Sequence, residues 1–137
     1  MPGAARLAGA AALRSGAGLV TVATQAQSIA PIIAGRPELI CVALKSVADL
    51  EKLLDAANAV AIGPGLGRGR RAHRLFDAVL ACDKPLVLDA DALSLLAERP
   101  GRRDDWILTP HPGEAARLLA TDAATIQRDR LGSLRAI

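Results

Sequence analysis

Aromatic residues are almost absent from this sequence: it has one phenylalanine, Phe76, one tryptophan, Trp106, and no tyrosine. Stacking on nucleic-acid bases is therefore closed to it. Charge opens no other route, because 17 basic and 14 acidic residues leave only +3, with no basic stripe or nucleic-acid motif. Lysine is scarce within that basic set, at Lys45, Lys52 and Lys84. Cysteine is scarce too. Cys41 and Cys82 belong to no C-x-x-C pair, which excludes a structural zinc site. They read as small buried hydrophobes in a reducing, cytoplasmic compartment. No apolar run reaches the ~20 residues of a membrane-spanning helix. No basic stretch leads into an apolar one after Met1-Pro2-Gly3, so no secretory signal is expected. A G-x-S-x-G elbow is missing, and neither Cys has an obvious His partner, which disfavours hydrolases with a covalent intermediate.

What is present is the composition of one globular domain. The chain has 137 residues, 51% apolar and 23% charged, enough for a core that buries roughly two thirds of the unfolded surface. Residues 3–15 are Ala-rich and apolar on nearly all sides, which predicts a helix buried against a sheet. Short apolar runs at 19–23, 39–44, 59–62, 86–89 and 106–109 predict strands. Helical patterns fall at 27–34, after Ser46, at 70–81, at 92–98, at 114–119 and from Thr121 onward. Strand and helix alternate, so the predicted fold is α/β, a doubly wound parallel sheet with helices on both faces. The pattern opens and closes on a helix, and the sheet is therefore expected to be incomplete at both ends.

In open parallel sheets ligands bind outside the carboxyl ends of the strands. Three stretches there stand out. Gly63-Pro-Gly-Leu-Gly67 follows the third strand; its glycines either bring backbone N–H groups to an anion or simply make a tight turn. It is no Walker A loop, because G-K-[ST] is missing, and Gly67-x-Gly69-x-x-Ala72 fits a dinucleotide fingerprint only loosely. Asp89-Ala-Asp91 ends the fourth strand. The pair could help hold Mg²⁺ through water or bond a ligand hydroxyl; alternatively Asp91 caps the next helix and Asp89 binds backbone N–H groups. Thr109-Pro-His-Pro-Gly-Glu114 follows the fifth strand. Its prolines and Gly113 frame His111 rigidly. His111 could donate to a substrate oxygen or titrate near neutrality, and Glu114 could hold a metal-bound water or complement the helix dipole. The basic run at 68–74 reads as a solvated helix start or as contact with a ligand phosphate, and His73 within it as a surface residue.

These stretches occur in one order with Met1-Pro-Gly-Ala-Ala5 and Arg14-Ser-Gly-Ala-Gly-Leu-Val-Thr-Val22, the later two as Leu88-Asp-Ala-Asp-Ala-Leu93 and Leu108-Thr-Pro-His-Pro-Gly-Glu114. The set resembles the ADP/ATP-dependent NAD(P)H-hydrate dehydratases, carbohydrate-kinase-like domains of ribokinase-like fold, over nearly the whole chain. The resemblance implies repair of hydrated NADH and NADPH. A nucleoside phosphate, ADP or ATP with Mg²⁺, phosphorylates the hydroxyl added to the nicotinamide ring; phosphate then leaves and the dinucleotide is restored. It implies that Ala4, Gly65, His111 and Arg117 contact the hydrated dinucleotide. Glu114, with Asp89 and Asp91, would organise phosphate and metal without ligating the metal directly. A homo-oligomer with no nucleic-acid or membrane partner is also implied. The family has a strand before the Met1 position and, after the Ile137 position, a G-T-G-D motif whose Asp is the general base. The sequence contains neither, so the expectation is a partial domain over residues 1–137, inactive by itself. The alternatives are a ribokinase-like vitamin-precursor kinase of the hydroxymethylpyrimidine or hydroxyethylthiazole type and a non-catalytic nucleotide-binding or assembly fragment.

Overall fold

Parallel strands need long crossovers, and the chain supplies a helix for each. In the computed structural model, which describes residues 1–137, the order is α1 (Pro2–Arg14), β1 (Thr21–Thr24), α2 (Ala26–Ile33), β2 (Ile40–Ala43), α3 (Val47–Ala56), β3 (Val60–Ile62), α4 (Arg70–Ala81), β4 (Leu86–Leu88), α5 (Asp91–Glu98), β5 (Trp106–Leu108), α6 (Pro112–Leu118), α7 (Ala123–Arg128) and α8 (Arg130–Ala136). Every ladder is parallel, as predicted. The strands form two sheets, β1-β2 and β3-β4-β5, where the pattern suggested one. The expected terminal helix is two helices, because the Asp129 carboxylate accepts from the Gly132 N–H at 2.8 Å and starts a new one.

Register decides which side chains meet. Val60, Leu86 and Trp106 are level, as are Ile62, Leu88 and Leu108. Alternate residues share a face, and this face meets α3, α4 and α5 in a core containing Leu50, Leu54, Phe76, Val79 and Leu93. The row between them, Ala61, Val87 and Ile107, turns to the other side, where Ile107 stays 62% exposed. Helices α3, α4 and α5 thus pack on the first of these faces. The later helices pack on one another instead, through Ala115, Ala116 and Ile126. Helix α1 also departs from expectation: only Gly9 is buried, and Leu7 is 69% exposed. Its small residues allow close approach on one stripe, where a Cβ on Gly9 would lie 2.9 Å from Leu39. Both cysteines are half-buried and unpaired, and burial pushes the Cys41 thiol up from its ordinary value.

Caps fix the helix starts. Ser46 Oγ accepts from the Asp49 N–H at 3.2 Å, while Asp49 Oδ2 accepts from the N–H groups of Ser46 and Lys45 at 2.9 and 3.0 Å. Those backbone bonds hold the Asp49 carboxyl below its ordinary range. The Thr125 N–H lowers Asp122 in the same way. At the amino ends of the strands, Arg103 bonds the Asp105 carboxylate, lowering it, and donates to the Cys82 carbonyl at 2.7 Å. At the carboxyl ends, Gly63 follows β3 with φ +128°. A Cβ there would sit 1.7 Å from the Asp89 carbonyl oxygen. Only glycine lets the loops after β3 and β4 touch backbone to backbone.

Two expectations follow from this packing. Gly63→Ala costs about 3 kcal/mol or more, since backbone strain and overpacking each contribute about 1–3 kcal/mol. Gly67→Ala, with φ +80° but open space around it, costs about 1–2 kcal/mol. Urea unfolding of both variants measures the gap, and equal losses would contradict the contact. The three depressed carboxylates stabilise the fold above the ordinary carboxylate pKa. That contribution disappears as pH falls through their folded values, because the unfolded chain protonates first. The melting temperature should therefore fall on acidification below about pH 4, and less steeply in Asp49→Asn.

Candidate functional site

Strands β3, β4 and β5 finish level, so the residues after Ile62, Leu88 and Leu108 share one rim. The ladder runs one step further, with Asp89 N–H on the Ile62 carbonyl at 3.1 Å and Thr109 N–H on the Leu88 carbonyl at 3.2 Å. From the middle strand the two aspartates reach opposite ways. Thr109 Oγ1 donates to Asp89 Oδ1 at 2.9 Å. Asp91 Oδ2 accepts from the Gly67 N–H at 2.8 Å, and Arg68 Nε lies 3.8 Å from Asp91 Oδ1. Ala90 between them has φ +49°, an uncommon conformation for a residue with a Cβ. Asp91 therefore does not cap α5. The cap position is Ala90, and the Asp91 carboxylate ties the glycine loop down instead.

His111 is the N-cap of α6. Its Nδ1 accepts from the Gly113 N–H at 3.0 Å, and Glu114 Oε2 accepts from the His111 N–H at 2.9 Å. An accepting Nδ1 places the proton of the neutral ring on Nε2. The imidazole thus has one nitrogen committed to the cap and one left to donate. Nε2 stands 3.3 Å from Glu114 Oε1, with the His111 side chain 62% exposed and the Glu114 side chain 9% exposed. The alternative reading of Glu114 as complement to a helix start is the one seen, through this capping box.

Gly65 belongs to the same rim, where its carbonyl accepts from the Met1 ammonium at 3.3 Å. That bond brings the first turn of α1, and Ala4 with it, beside the glycine loop. Arg117 stands apart from the group. It lies one helical turn along α6, and its Nη1 donates to Ser94 Oγ at 3.1 Å, joining α6 to α5. His73 is a partly exposed helix residue, 3.8 Å from Glu98. Two participants escaped the sequence reading: the Met1 amino group and Ser94. The one available signal was Ser94, a lone hydroxyl inside an otherwise apolar stretch of α5.

No three metal-ligating side chains come together. Divalent magnesium is commonly held by one or two carboxylates plus substrate phosphates, and Asp89 Oδ2 is a rim carboxylate oxygen that accepts no hydrogen bond. The donor set therefore suits a cation that arrives with a phosphate, not a resident metal cage.

Comparison with known proteins places this rim in context. A family profile described as NAD(P)H-hydrate dehydratase matches residues 1–137. The chain is 55% identical over 135 residues to the bifunctional NAD(P)H-hydrate repair enzyme Nnr of Coxiella burnetii, covering 98% of this chain and 28% of that protein. A ribokinase-like superfamily protein from Enterococcus faecalis superposes with a TM-score of 0.83 at 28% identity, covering 96% of this chain and 47% of its own. The ADP/ATP-dependent NAD(P)H-hydrate dehydratase of Bacillus subtilis, co-crystallised with ATP/Mg²⁺ and soaked with CoA, superposes with a TM-score of 0.76 at 37% identity, covering 95% of this chain and 48% of its own. The chain spans between about a quarter and half of the length of these relatives. With a profile match from the first residue to the last, and parallel α/β neighbours of the same ribokinase-like type, it belongs to the NAD(P)H-hydrate dehydratase family.

Proposed function

We propose that residues 1–137 form the substrate-facing part of an ADP- or ATP-dependent NAD(P)H-hydrate dehydratase, with the hydrated nicotinamide nucleotide held along the carboxyl rim. One observation supports this above the rest. Gly65, Asp91 and the His111–Glu114 box are far apart in sequence yet all follow the carboxyl ends of β3, β4 and β5, which finish level, inside a chain the family profile covers throughout.

In this reading Ala4 and Gly65 offer backbone surface against which the ring and its ribose lie. His111 donates from Nε2 to a substrate oxygen; the Gly113 N–H on Nδ1 keeps the imidazole in the donating tautomer, and Glu114 holds the His111 backbone at the cap. Arg117 joins by exchanging Ser94 for the ligand. Asp89 and Asp91 organise the phosphate side, Asp89 through its open oxygen and Asp91 through the glycine loop it anchors. When bound, the nucleoside phosphate supplies the phosphoryl group that makes the ring hydroxyl a leaving group, and Mg²⁺ offsets its charge. Residues 1–137 contain no G-T-G-D motif, so neither a positioned base nor an anion hole comes from them. Without those, several kcal/mol of transition-state stabilisation are missing, and the domain is a partial one that binds without turning over. A cytoplasmic location, where the two free cysteines stay reduced, and homo-oligomeric assembly complete the proposal.

Incubation of the 137-residue chain with hydrated NADH, ADP or ATP, and Mg²⁺ should release no phosphate above background. Turnover near that of a full-length relative would refute the partial-domain reading. Calorimetric titration should still detect hydrated NADH. Glu114→Gln should weaken that binding about five- to thirtyfold, through about 1–2 kcal/mol lost when the His111 backbone is no longer held at the cap. Lys52→Gln, away from the rim, should leave it unchanged, and equal affinity in all three proteins would contradict the role given to Glu114.

A further inference from the structure

A small basic pocket lies beside the glycine loop and takes no part in the rim described above. Its walls are the end of β2 with the start of α3, at Lys45, Ser46 and Val47, and the first turns of α4, at Arg71, Arg74 and Leu75. Both walls stand at the carboxyl ends of their strands. It is a small cavity of about 60 Å³.

Three cations converge there. Arg71 Nη2 donates to the Leu44 carbonyl at 2.7 Å, which pins the guanidinium across the gap between β2 and α4. Lys45, Arg71 and Arg74 enter none of the ion pairs of the chain. The acid adjoining this wall, Asp49, has its Oδ2 bound by the Lys45 and Ser46 N–H groups. Arg71 and Arg74 are three residues apart on one helix face, a spacing at which like charges destabilise, and Lys45 adds a third from another element. A solvated helix face would spread these charges or pair them. An oxyanion between them relieves the repulsion and gains charge-assisted hydrogen bonds.

Position supplies the ligand. Arg71 is four positions after Gly67, at most about 14 Å of chain. We propose that Lys45, Arg71 and Arg74 form a phosphate subsite for the hydrated dinucleotide, taking either its pyrophosphate or the 2′-phosphate of its NADP form; this rests on the functional reading above.

The test titrates the chain and a Lys45→Gln/Arg74→Gln double variant by calorimetry with hydrated NADPH, hydrated NADH and inorganic pyrophosphate. Neither substituted side chain makes a hydrogen bond in the fold, so the variant should melt with the wild type. The expected result is weakening of about tenfold or more. Weakening confined to hydrated NADPH assigns the 2′-phosphate, and equal weakening of both hydrates assigns the pyrophosphate. Wild-type binding of both hydrates with no change in the variant overturns the subsite and leaves the rim reading intact. If the wild type binds neither hydrate, the rim reading fails. The pocket then stands only if the wild type binds pyrophosphate and the variant loses it.

Discussion

The carboxyl rim depends on one backbone contact, Gly63 against the Asp89 carbonyl. The missing Cβ lets two loops close to a distance that no other residue permits, since that atom would lie 1.7 Å from the carbonyl oxygen. Everything nearby is arranged by that closeness. The Gly67 N–H comes within 2.8 Å of Asp91, so Asp91 serves the neighbouring loop instead of its own helix. Ala90 is left in an uncommon conformation between the two aspartates, at a cost of about 1–3 kcal/mol that the surrounding contacts must offset. Asp89 is then free to face Thr109 on the far side. One glycine thus sets the directions of both carboxylates.

Much of this was legible in the sequence, and the reasons are local. Helix α4 runs over 70–81 as its apolar period indicates, because Gly69 precedes it and Phe76 and Val79 fall on one buried face. All five strands lie within the apolar runs or one residue beyond them. The residues beyond those runs were readable as a rim because parallel topology alone brings strand ends together. What stayed hidden depends on approach between elements. Asp91 looks like a helix cap until the Gly67 N–H arrives from another loop. Helix α1 looks buried because alanine counts as apolar, yet a methyl group covers little area, and its larger Leu7 points away from the core. The break at Asp129 falls in a polar stretch where no hydrophobic period marks a boundary.

The two-sheet arrangement divides the packing in two. The main core lies against β3-β4-β5, under α3, α4 and α5. The β1-β2 pair packs with α1 and α2, around Ile32 and Leu39, both buried. A hydrogen bond between the Met1 ammonium and Gly65 links α1 to the rim, at 3.3 Å and exposed to solvent.

His111 poses the converse problem, a side chain that is both a structural cap and a proposed ligand contact. The two duties fall on different atoms. Nδ1 and the backbone N–H close the capping box, at 3.0 Å from the Gly113 nitrogen and 2.9 Å from Glu114. Nε2 has only the longer 3.3 Å approach to Glu114 Oε1, beyond the usual range for a good N–H···O bond. A substrate oxygen that accepts a hydrogen bond from Nε2 would displace a weak contact and leave the box intact. The cap in turn fixes the tautomer, so the ring offers a donor on its exposed side without first shifting a proton. The prolines on either side of His111 restrict the backbone to the extended conformation the cap requires. Rigidity at this position therefore serves the helix start and the donor geometry together.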